Sequence, residues 1–168
     1  MHLERYIRAA ILRLAHSDTP ALDARVLAKQ ALGLDDAGLI LSATRDLTAE
    51  EIAKLDVLVA RRAAGEPVAY ITGEKEFRGL TFRMAPGVLT PRPDSETLIE
   101  AAIKRLPAEA SLRILDLGTG TGCLLCALLA HFKRASGVGV DLNETALALA
   151  EANAASLGLA GRAAFVKS

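Results

Sequence analysis

The sequence predicts an α/β protein in which a small bundle of helices precedes an incomplete parallel sheet. Two observations support this fold class. Apolar residues recur at helical spacing through roughly the first 64 residues, and from Leu112 onward the pattern changes to strand, helix, strand, helix, strand. Repeated strand–helix units place parallel strands side by side through right-handed crossovers.

The amino-terminal region is predicted to contain four helices. The first carries its apolar residues on one face, and the second ends at Gly33. A short third helix covers about residues 37–41. The fourth begins at a capping box formed by Thr48 and Glu51 and ends at Gly65. Because this region has no paired carboxylates and no cluster of metal ligands, we interpret it as an interaction or positioning module.

The stretch "EKEFRGLTFRM" alternates apolar and polar residues around Arg78-Gly79, which predicts a hairpin. A proline-rich segment follows, and then a helix that Asp94 or Ser95 can cap and that buries Leu98 among other apolar residues. The later predicted elements are the strands Leu112–Leu117, Gly137–Asp141 and Ala163–Lys167 and the helices at about 122–132 and 143–157. We therefore divide the chain into a helical domain at 1–72, a hairpin linker at 73–90 and an incomplete α/β domain at 91–168.

Composition excludes several classes of partner. Half of the residues are hydrophobic (51%), and 20 basic residues balance 20 acidic ones, so no net charge attracts nucleic acid or an anionic membrane. The first ten residues, "MHLERYIRAA", are too charged for a signal peptide, and no apolar run is long enough to span a bilayer. Two cysteines without a disulfide framework fit a reducing compartment. We expect a cytoplasmic protein.

A glycine cluster marks the candidate site. Gly118, Gly120 and Gly122 alternate with Thr119 and Thr121 between the first parallel strand and its helix. Glycine permits positive φ and close approach of a ligand, and a helix amino terminus offers unpaired N–H groups. The alternative is a tight turn that is rich in glycine for structural reasons alone.

Asp141 ends the second parallel strand, where a carboxylate can accept both hydrogen bonds of a ribose diol. The glycine loop and this carboxylate together indicate a bound adenosine nucleoside. A dinucleotide fingerprint requires a small third residue at position 123, which is Cys123. The observed G-x-G-x-G, with Asp116 two residues before it, is typical of class I methyltransferases that use S-adenosylmethionine. Asp116 suits a cationic cofactor, although a strand-end residue that pairs with neighbouring backbone is the alternative.

The sequence also resembles a specific family. "VLTPRPDSETLIE" upstream of "ILDLGTGTG", together with "GEPVAYITGEKEF", is similar to the HemK-type protein-(glutamine-N5) methyltransferases. The resemblance implies a truncated Rossmann-like methyltransferase domain and S-adenosylmethionine as cofactor. It implies methylation of the glutamine in the Gly-Gly-Gln motif of peptide chain release factors, which the helical domain helps to bind. It also places the segment that contains Arg92 beside the cofactor, although Arg92 could instead anchor the linker to Asp94 or Glu96.

One family feature is missing. The Asn-Pro-Pro-Tyr motif of HemK-type enzymes does not occur, and the sequence ends at "AAFVKS". We therefore expect a fragment whose catalytic residues lie beyond Ser168 and which is inactive alone. A cofactor-binding or release-factor-binding module without catalysis and a nicotinamide-dependent oxidoreductase remain as alternatives.

Cys123 and Cys126 form a C-x-x-C pair at the start of an apolar helix. A zinc site needs about four ligands, and neither a second cysteine pair nor a histidine cluster accompanies them. We interpret both cysteines as packing residues and expect no metal site.

Overall fold

A computed structural model describes all 168 residues. The chain divides into two compact units, Met1–Thr72 and Gly73–Ser168, each of which we describe by itself. None of the helices combines the length and the apolar character needed to cross a membrane.

The first unit is a bundle of five helices. They are α1 (Leu3–Arg13), α2 (Pro20–Leu32), α3 (Asp36–Leu41), α4 (Ala49–Ala63) and α5 (Val68–Thr72). Leu3, Leu14, Leu27 and Leu55 are almost completely buried in its core. The predicted capping box of α4 is present, because the Thr48 hydroxyl accepts from the Glu51 N–H and the Glu51 carboxylate accepts from the Thr48 N–H.

Helix α5 is an addition to the four predicted helices. The fourth predicted helix ends at Gly65, whose φ is 93°. Pro67 then allows a new helical turn to begin, and the Pro67 carbonyl accepts a hydrogen bond from the Ile71 N–H. Ile71 is buried in the core of this unit. A single turn of this length carries no helical periodicity that sequence analysis could detect.

A buried polar network joins three parts of the helical unit. The Asp23 carboxylate accepts hydrogen bonds from Ser17 Oγ at 2.7 Å, Thr19 Oγ1 at 3.0 Å and Arg62 Nε at 2.7 Å. Burial alone would raise the pKa of Asp23, but the hydrogen bonds from Ser17, Arg62 and Thr19 outweigh it and hold the pKa below its ordinary value. The network thereby fixes the connection between α1 and α2 against α4.

The second unit begins with an antiparallel hairpin, β1 (Glu74–Phe77) and β2 (Leu80–Arg83), as predicted. A turn of 3-10 helix, Pro93–Ser95, leads into α6 (Glu96–Arg105). The prediction for α6 was partly wrong: no side-chain hydrogen bond from Ser95 caps it, and Leu98 is exposed. Helix α6 buries Ile99, and the preceding 3-10 turn supplies the start that a capping side chain was expected to provide.

The remaining elements confirm the predicted parallel sheet. Its three strands are β3 (Arg113–Leu117), β4 (Ser136–Asp141) and β5 (Ala163–Lys167), in the spatial order β3-β4-β5, and its crossover helices are α7 (Cys123–His131) and α8 (Glu144–Ser156). All predicted boundaries agree within a residue.

The two faces of the sheet differ. On one face a Cβ added at Gly137 would lie 2.4 Å from Leu125 of α7, and one at Gly139 would lie 2.7 Å from Phe165, so glycine is required for the close packing. On the other face no helix of this unit covers the strands. Apolar side chains are exposed there, among them Leu115, Leu117, Val138 and Val166.

Arg162 fixes the carboxyl-terminal end of α7. Its guanidinium donates to the carbonyl oxygens of Leu129, Phe132 and Ala135 at 2.8–3.0 Å. The last carbonyls of a helix lack partners within the helix, and a cation is favourable at that end of the helix dipole. Arg162 therefore ties the start of β5 to α7, whose opposite end begins at the glycine loop.

Candidate functional site

The glycine loop follows β3 directly and owes its path to three left-handed residues. Gly118, Gly120 and Gly122 have φ of 73°, 55° and 75°. The N–H groups of Gly118 and Thr119 both donate to the carbonyl of Val140 in β4, at 2.8 and 3.0 Å. Side chains other than glycine rarely adopt this backbone conformation. The alternation of glycine and threonine is therefore a requirement of the turn itself.

The three glycines differ in their surroundings. A Cβ at Gly118 would meet no atom within 4 Å, and one at Gly120 would meet only the Gly118 carbonyl oxygen at 4.0 Å. A Cβ at Gly122 would lie 3.0 Å from Cβ of Ala150 in α8. The first two glycines leave a side of the loop open for a ligand to approach the backbone, while Gly122 serves the packing of α7 on α8.

Asp141 lies beside this loop, at the carboxyl end of β4. One carboxylate oxygen accepts from the Gly120 N–H and the other from the Asn143 N–H, both at 2.9 Å. These hydrogen bonds hold the pKa of Asp141 below its ordinary value, and the bond from the Asn143 N–H has a larger effect than the bond from the Gly120 N–H. Each oxygen keeps a further acceptor position, so the carboxylate is charged and available to a donor such as a hydroxyl group.

Asp116 is bonded to the glycine loop through the side chain of Thr119. Its carboxylate accepts from Thr119 Oγ1 at 2.8 Å, and Thr119 is buried. The sequence is compatible with two functions for Asp116, contact with a cationic cofactor or pairing with neighbouring backbone. The observed partner is the threonine hydroxyl, which fixes the beginning of the glycine loop to the end of β3.

Arg92 is exposed and precedes the 3-10 turn. No hydrogen bond joins it to the glycine loop or to Asp141. Its neighbour Pro91 is held by the Lys75 ammonium group, which donates to the Pro91 carbonyl. Glu96, one of the anchors considered for Arg92, lies 4.0 Å from Arg78. The structure thus brings the loop, Asp116 and Asp141 together, while the assignment of Arg92 stays a prediction.

Two asparagines make contacts with the backbone around α8, and those of Asn153 were not predicted from the sequence. Asn143 caps α8 by accepting from the Thr145 N–H. Asn153, fully buried, bonds to the backbone of Arg83 and of Thr121. The available signal was a polar residue on the apolar face that Ala146 and Ala150 define, at helical spacing.

Both cysteines lie on the buried side of α7 and are unpaired. Burial raises the pKa of the Cys123 thiol, and it raises that of Cys126 to about 12. Thiols in such surroundings stay protonated at neutral pH and react slowly. No group of three or more histidine, cysteine, aspartate or glutamate side chains is arranged to hold a metal ion.

Comparison with known proteins gives this geometry a context. Residues 6–73 match the family model described as "PrmC N-terminal domain", and residues 114–168 match "Methyltransferase domain". The release factor glutamine methyltransferase of Bradyrhizobium diazoefficiens is 49% identical over 161 residues, which are 94% of this chain and 54% of that protein. The chain therefore combines a PrmC-type amino-terminal domain with part of a methyltransferase domain, and over 94% of its length it is similar to a release factor glutamine methyltransferase.

Other relatives give the same relationship. The release factor glutamine methyltransferases of Koribacter versatilis and Escherichia coli K12 are 43% and 39% identical over 159 residues, which are 94% and 95% of this chain and 57% of each relative. The chain thus spans about half the length of the curated relatives it matches. The resemblance drawn from the sequence motifs and the predicted fold class are both confirmed.

Release factor glutamine methyltransferases belong to the methyltransferases that depend on S-adenosylmethionine. The residues present fit such a cofactor. The backbone at Gly118 and Gly120 is open on one side, and the carboxylate of Asp141 lies within hydrogen-bond distance of that loop. A nucleoside needs this combination of close backbone approach and a hydrogen-bond acceptor at a strand end.

Proposed function

We propose that the full-length protein transfers a methyl group from S-adenosylmethionine to the side-chain amide nitrogen of the glutamine in the Gly-Gly-Gln motif of peptide chain release factors. The cytoplasm is its proposed location. The observation that carries this proposal is the 49% identity to a release factor glutamine methyltransferase over 161 residues, a region that includes the glycine loop and Asp141. In this proposal the present chain supplies the cofactor-binding part.

Each residue of the site has a proposed task. Bound S-adenosylmethionine supplies a methyl group activated by its sulfonium centre. The loop 118–122 lets the cofactor touch its backbone and provides N–H groups at the start of α7. Asp141 accepts hydrogen bonds from the ribose hydroxyls, and its hold on the Gly120 N–H keeps the loop beside that ribose. Asp116 places a negative charge near the cationic part of the cofactor and fixes Thr119.

Arg92 and Thr121 complete the proposed contacts, Arg92 toward the cofactor carboxylate and Thr121 through its place in the loop. Thr121 is buried, and its Oγ1 makes no hydrogen bond of regular geometry. Its hydroxyl is therefore a donor whose capacity the loop itself does not use.

The acceptor amide needs residues that this chain does not contain. An amide nitrogen is a poor nucleophile because its lone pair is delocalised into the carbonyl group. Acceptors that bind its N–H groups orient it toward the methyl group and stabilise the charge that develops on nitrogen. The resemblance assigns this task to an Asn-Pro-Pro-Tyr segment, which is absent from these 168 residues. We therefore propose that the chain binds cofactor without catalysing transfer.

The helical unit is the proposed contact for the release factor. Its apolar side chains form a core, and it has no group of three or more histidine, cysteine, aspartate or glutamate side chains that could hold a metal ion. Deletion of residues 1–72 from the full-length enzyme should reduce methylation of whole release factor far more than methylation of a short Gly-Gly-Gln peptide. Equal losses on both substrates would instead make the helical unit a folding aid.

Calorimetric titration of the chain with S-adenosylmethionine and with NAD tests the cofactor assignment. We expect binding of the former and none of the latter. Asp141→Ala should weaken binding about tenfold or more, because lost hydrogen bonds to a carboxylate cost on the order of 2 kcal/mol. Glu151→Ala, which removes an exposed acid of α8, is the control and should bind like wild type. Unchanged affinity of Asp141→Ala would remove this residue from the site, and preference for NAD would refute the proposal.

A further inference from the structure

Asn153 is the one fully buried polar side chain of α8 and makes three hydrogen bonds. Its Oδ1 accepts from the Arg83 N–H at 2.8 Å, and its Nδ2 donates to the Arg83 carbonyl at 3.2 Å. The same Nδ2 donates to the Thr121 carbonyl of the glycine loop at 2.9 Å. All three hydrogen bonds of the Asn153 side-chain amide are made with backbone groups.

These contacts join two segments that are distant in sequence. Arg83 is the last residue of β2 in the hairpin, 70 positions before Asn153, and Thr121 lies 32 positions before it. With the Arg83 backbone the amide group forms a two-bond pair that resembles a rung of a β-ladder. The third bond reaches the carbonyl between Gly120 and Gly122.

We propose that Asn153 is a positioning residue for the cofactor loop, which it holds in register with the hairpin. This proposal rests on the assignment of residues 118–122 as the cofactor site. The loop itself is held from the other side by Val140 and Asp141. Asn153 binds the carbonyl of Thr121, for which no β-strand neighbour is available. The next residue, Gly122, is packed against Ala150 of α8.

The chemistry of the position requires asparagine. An apolar residue of similar size would leave the Arg83 N–H, the Arg83 carbonyl and the buried Thr121 carbonyl without their partner. Unsatisfied groups of this kind are costly where they are buried. Aspartate keeps the acceptor for the Arg83 N–H but presents oxygen to both carbonyls. Its protonation would restore one donor, so the effect of this substitution depends on pH.

A second contact of α8 supports the same connection. Asn143 Nδ2 lies 3.5 Å from the Gly87 carbonyl, four residues beyond Arg83. The end of the hairpin is therefore bonded to the third turn of α8, and the segment that follows the hairpin is bonded to the cap at the amino terminus of α8. A displacement of this segment acts on the glycine loop through Asn153.

Hydrogen exchange and cofactor binding together test the proposal on the 168-residue chain. The variants are Asn153→Leu, Asn153→Asp and, as a control, Leu159→Ala, which removes a buried side chain just after α8 without a hydrogen bond to loop or hairpin. In Asn153→Leu the amides of Arg83, Gly120 and Gly122 should exchange at least about tenfold faster relative to those of β4. S-adenosylmethionine should bind about tenfold more weakly. Leu159→Ala should show neither local effect.

Asn153→Asp keeps the acceptor for the Arg83 N–H but loses the donor to the Thr121 carbonyl, so it tests the two contacts separately. This variant also tests the proposal if Asn153→Leu does not fold. The Arg83 amide should stay protected while those of Gly120 and Gly122 exchange faster. Lowering the pH from about 8 to about 5.5 should restore loop protection in this variant more than in wild type, because burial raises the pKa of a carboxyl group.

The possible results are distinguishable. Unchanged exchange at Gly120 and Gly122 in both Asn153 variants, or the same pattern in Leu159→Ala, would overturn the positioning role. If wild type does not bind S-adenosylmethionine, the proposed function of this chain fails, and the exchange pattern still decides whether Asn153 holds the loop.

Discussion

The difference between Gly118 and Gly122 gives a quantitative test of the site. Both residues have left-handed backbone, with φ of 73° and 75°. Alanine at either position keeps the same conformational penalty, about 1–2 kcal/mol. The surroundings differ, because a Cβ at Gly118 meets no atom within 4 Å, whereas one at Gly122 lies 3.0 Å from Cβ and 3.3 Å from Cα of Ala150.

The steric contribution follows from that comparison. The atoms that oppose a Cβ at Gly122 belong to the start of a side chain and to the backbone of α8, so they cannot move independently of the helix. Overpacking of this kind typically costs about 1–3 kcal/mol. We therefore expect Gly118→Ala to destabilise the second unit by about 1–2 kcal/mol. Gly122→Ala should carry the same conformational penalty and, in addition, the overpacking penalty of about 1–3 kcal/mol.

The assay must report on the second unit alone. The sequence has no tryptophan, and both of its tyrosines, Tyr6 and Tyr70, lie in the first unit, so intrinsic fluorescence follows the helical bundle. Native-state hydrogen exchange of the β4 amides instead gives the opening free energy of the sheet. Equal destabilisation by the two substitutions would refute the assignment of Gly122 to packing. Loss of S-adenosylmethionine binding in Gly118→Ala, which fills the open side, would support the ligand-binding role of that side.

Three further predictions concern the other unit, the cysteines and the activity. Asp23→Ala should lower the stability of the helical unit by about 3 kcal/mol, because it removes the ion-pair partner of the largely buried Arg62 guanidinium. Since the pKa of Asp23 is lowered in the folded state, its contribution is present above the ordinary value of 3.8 and is lost as the pH falls through the lower folded value. Cys123 and Cys126 should resist a disulfide reagent at about pH 8 in the native chain and react rapidly after unfolding, because both are buried with raised pKa values. Residues 1–168 should transfer no radiolabelled methyl group to release factor under conditions in which the full-length enzyme does.

Each of these has a clear contrary result. Tyrosine fluorescence in urea should detect the loss in Asp23→Ala, with Asp18→Ala as the control, since Asp18 is exposed. A stability change equal to that of the control would refute the role of the buried network. Rapid native labelling would mean that α7 opens or that the cysteines are accessible. Label transfer by the chain near the rate of the full-length enzyme would place catalytic residues within it.

The sequence predicted the parts of the fold that local patterns determine. The strands β3, β4 and β5 are apolar runs bounded by glycine and polar residues, and the capping box of α4 lies within four consecutive positions. Where a tertiary contact decides the outcome, prediction was wrong or incomplete. Leu98 has the spacing of a core residue but is exposed, and α5 is too short for any periodicity.

The candidate site divides in the same way. The glycine loop was recognisable because its backbone conformation demands glycine at three fixed positions. The bond from Gly120 to Asp141 spans 21 residues, and the contacts of Asn153 span 32 and 70. Such pairs arise only when crossover helices bring distant segments together. A buried asparagine in an alanine-rich helix is a signal that a polar partner exists, but it does not identify the partner.

The bare face of the sheet affects how the chain responds to temperature. Leu115, Leu117 and Val166 are each more than half exposed, so their contact with water changes little when the sheet unfolds. Hydration of newly exposed apolar surface produces the heat capacity change of unfolding, which should therefore be smaller than is usual for a domain of this size. Attraction between such faces strengthens on warming, because it is entropic near room temperature. A solution of the chain should thus scatter more light as it is warmed below its unfolding temperature and become clear again on cooling.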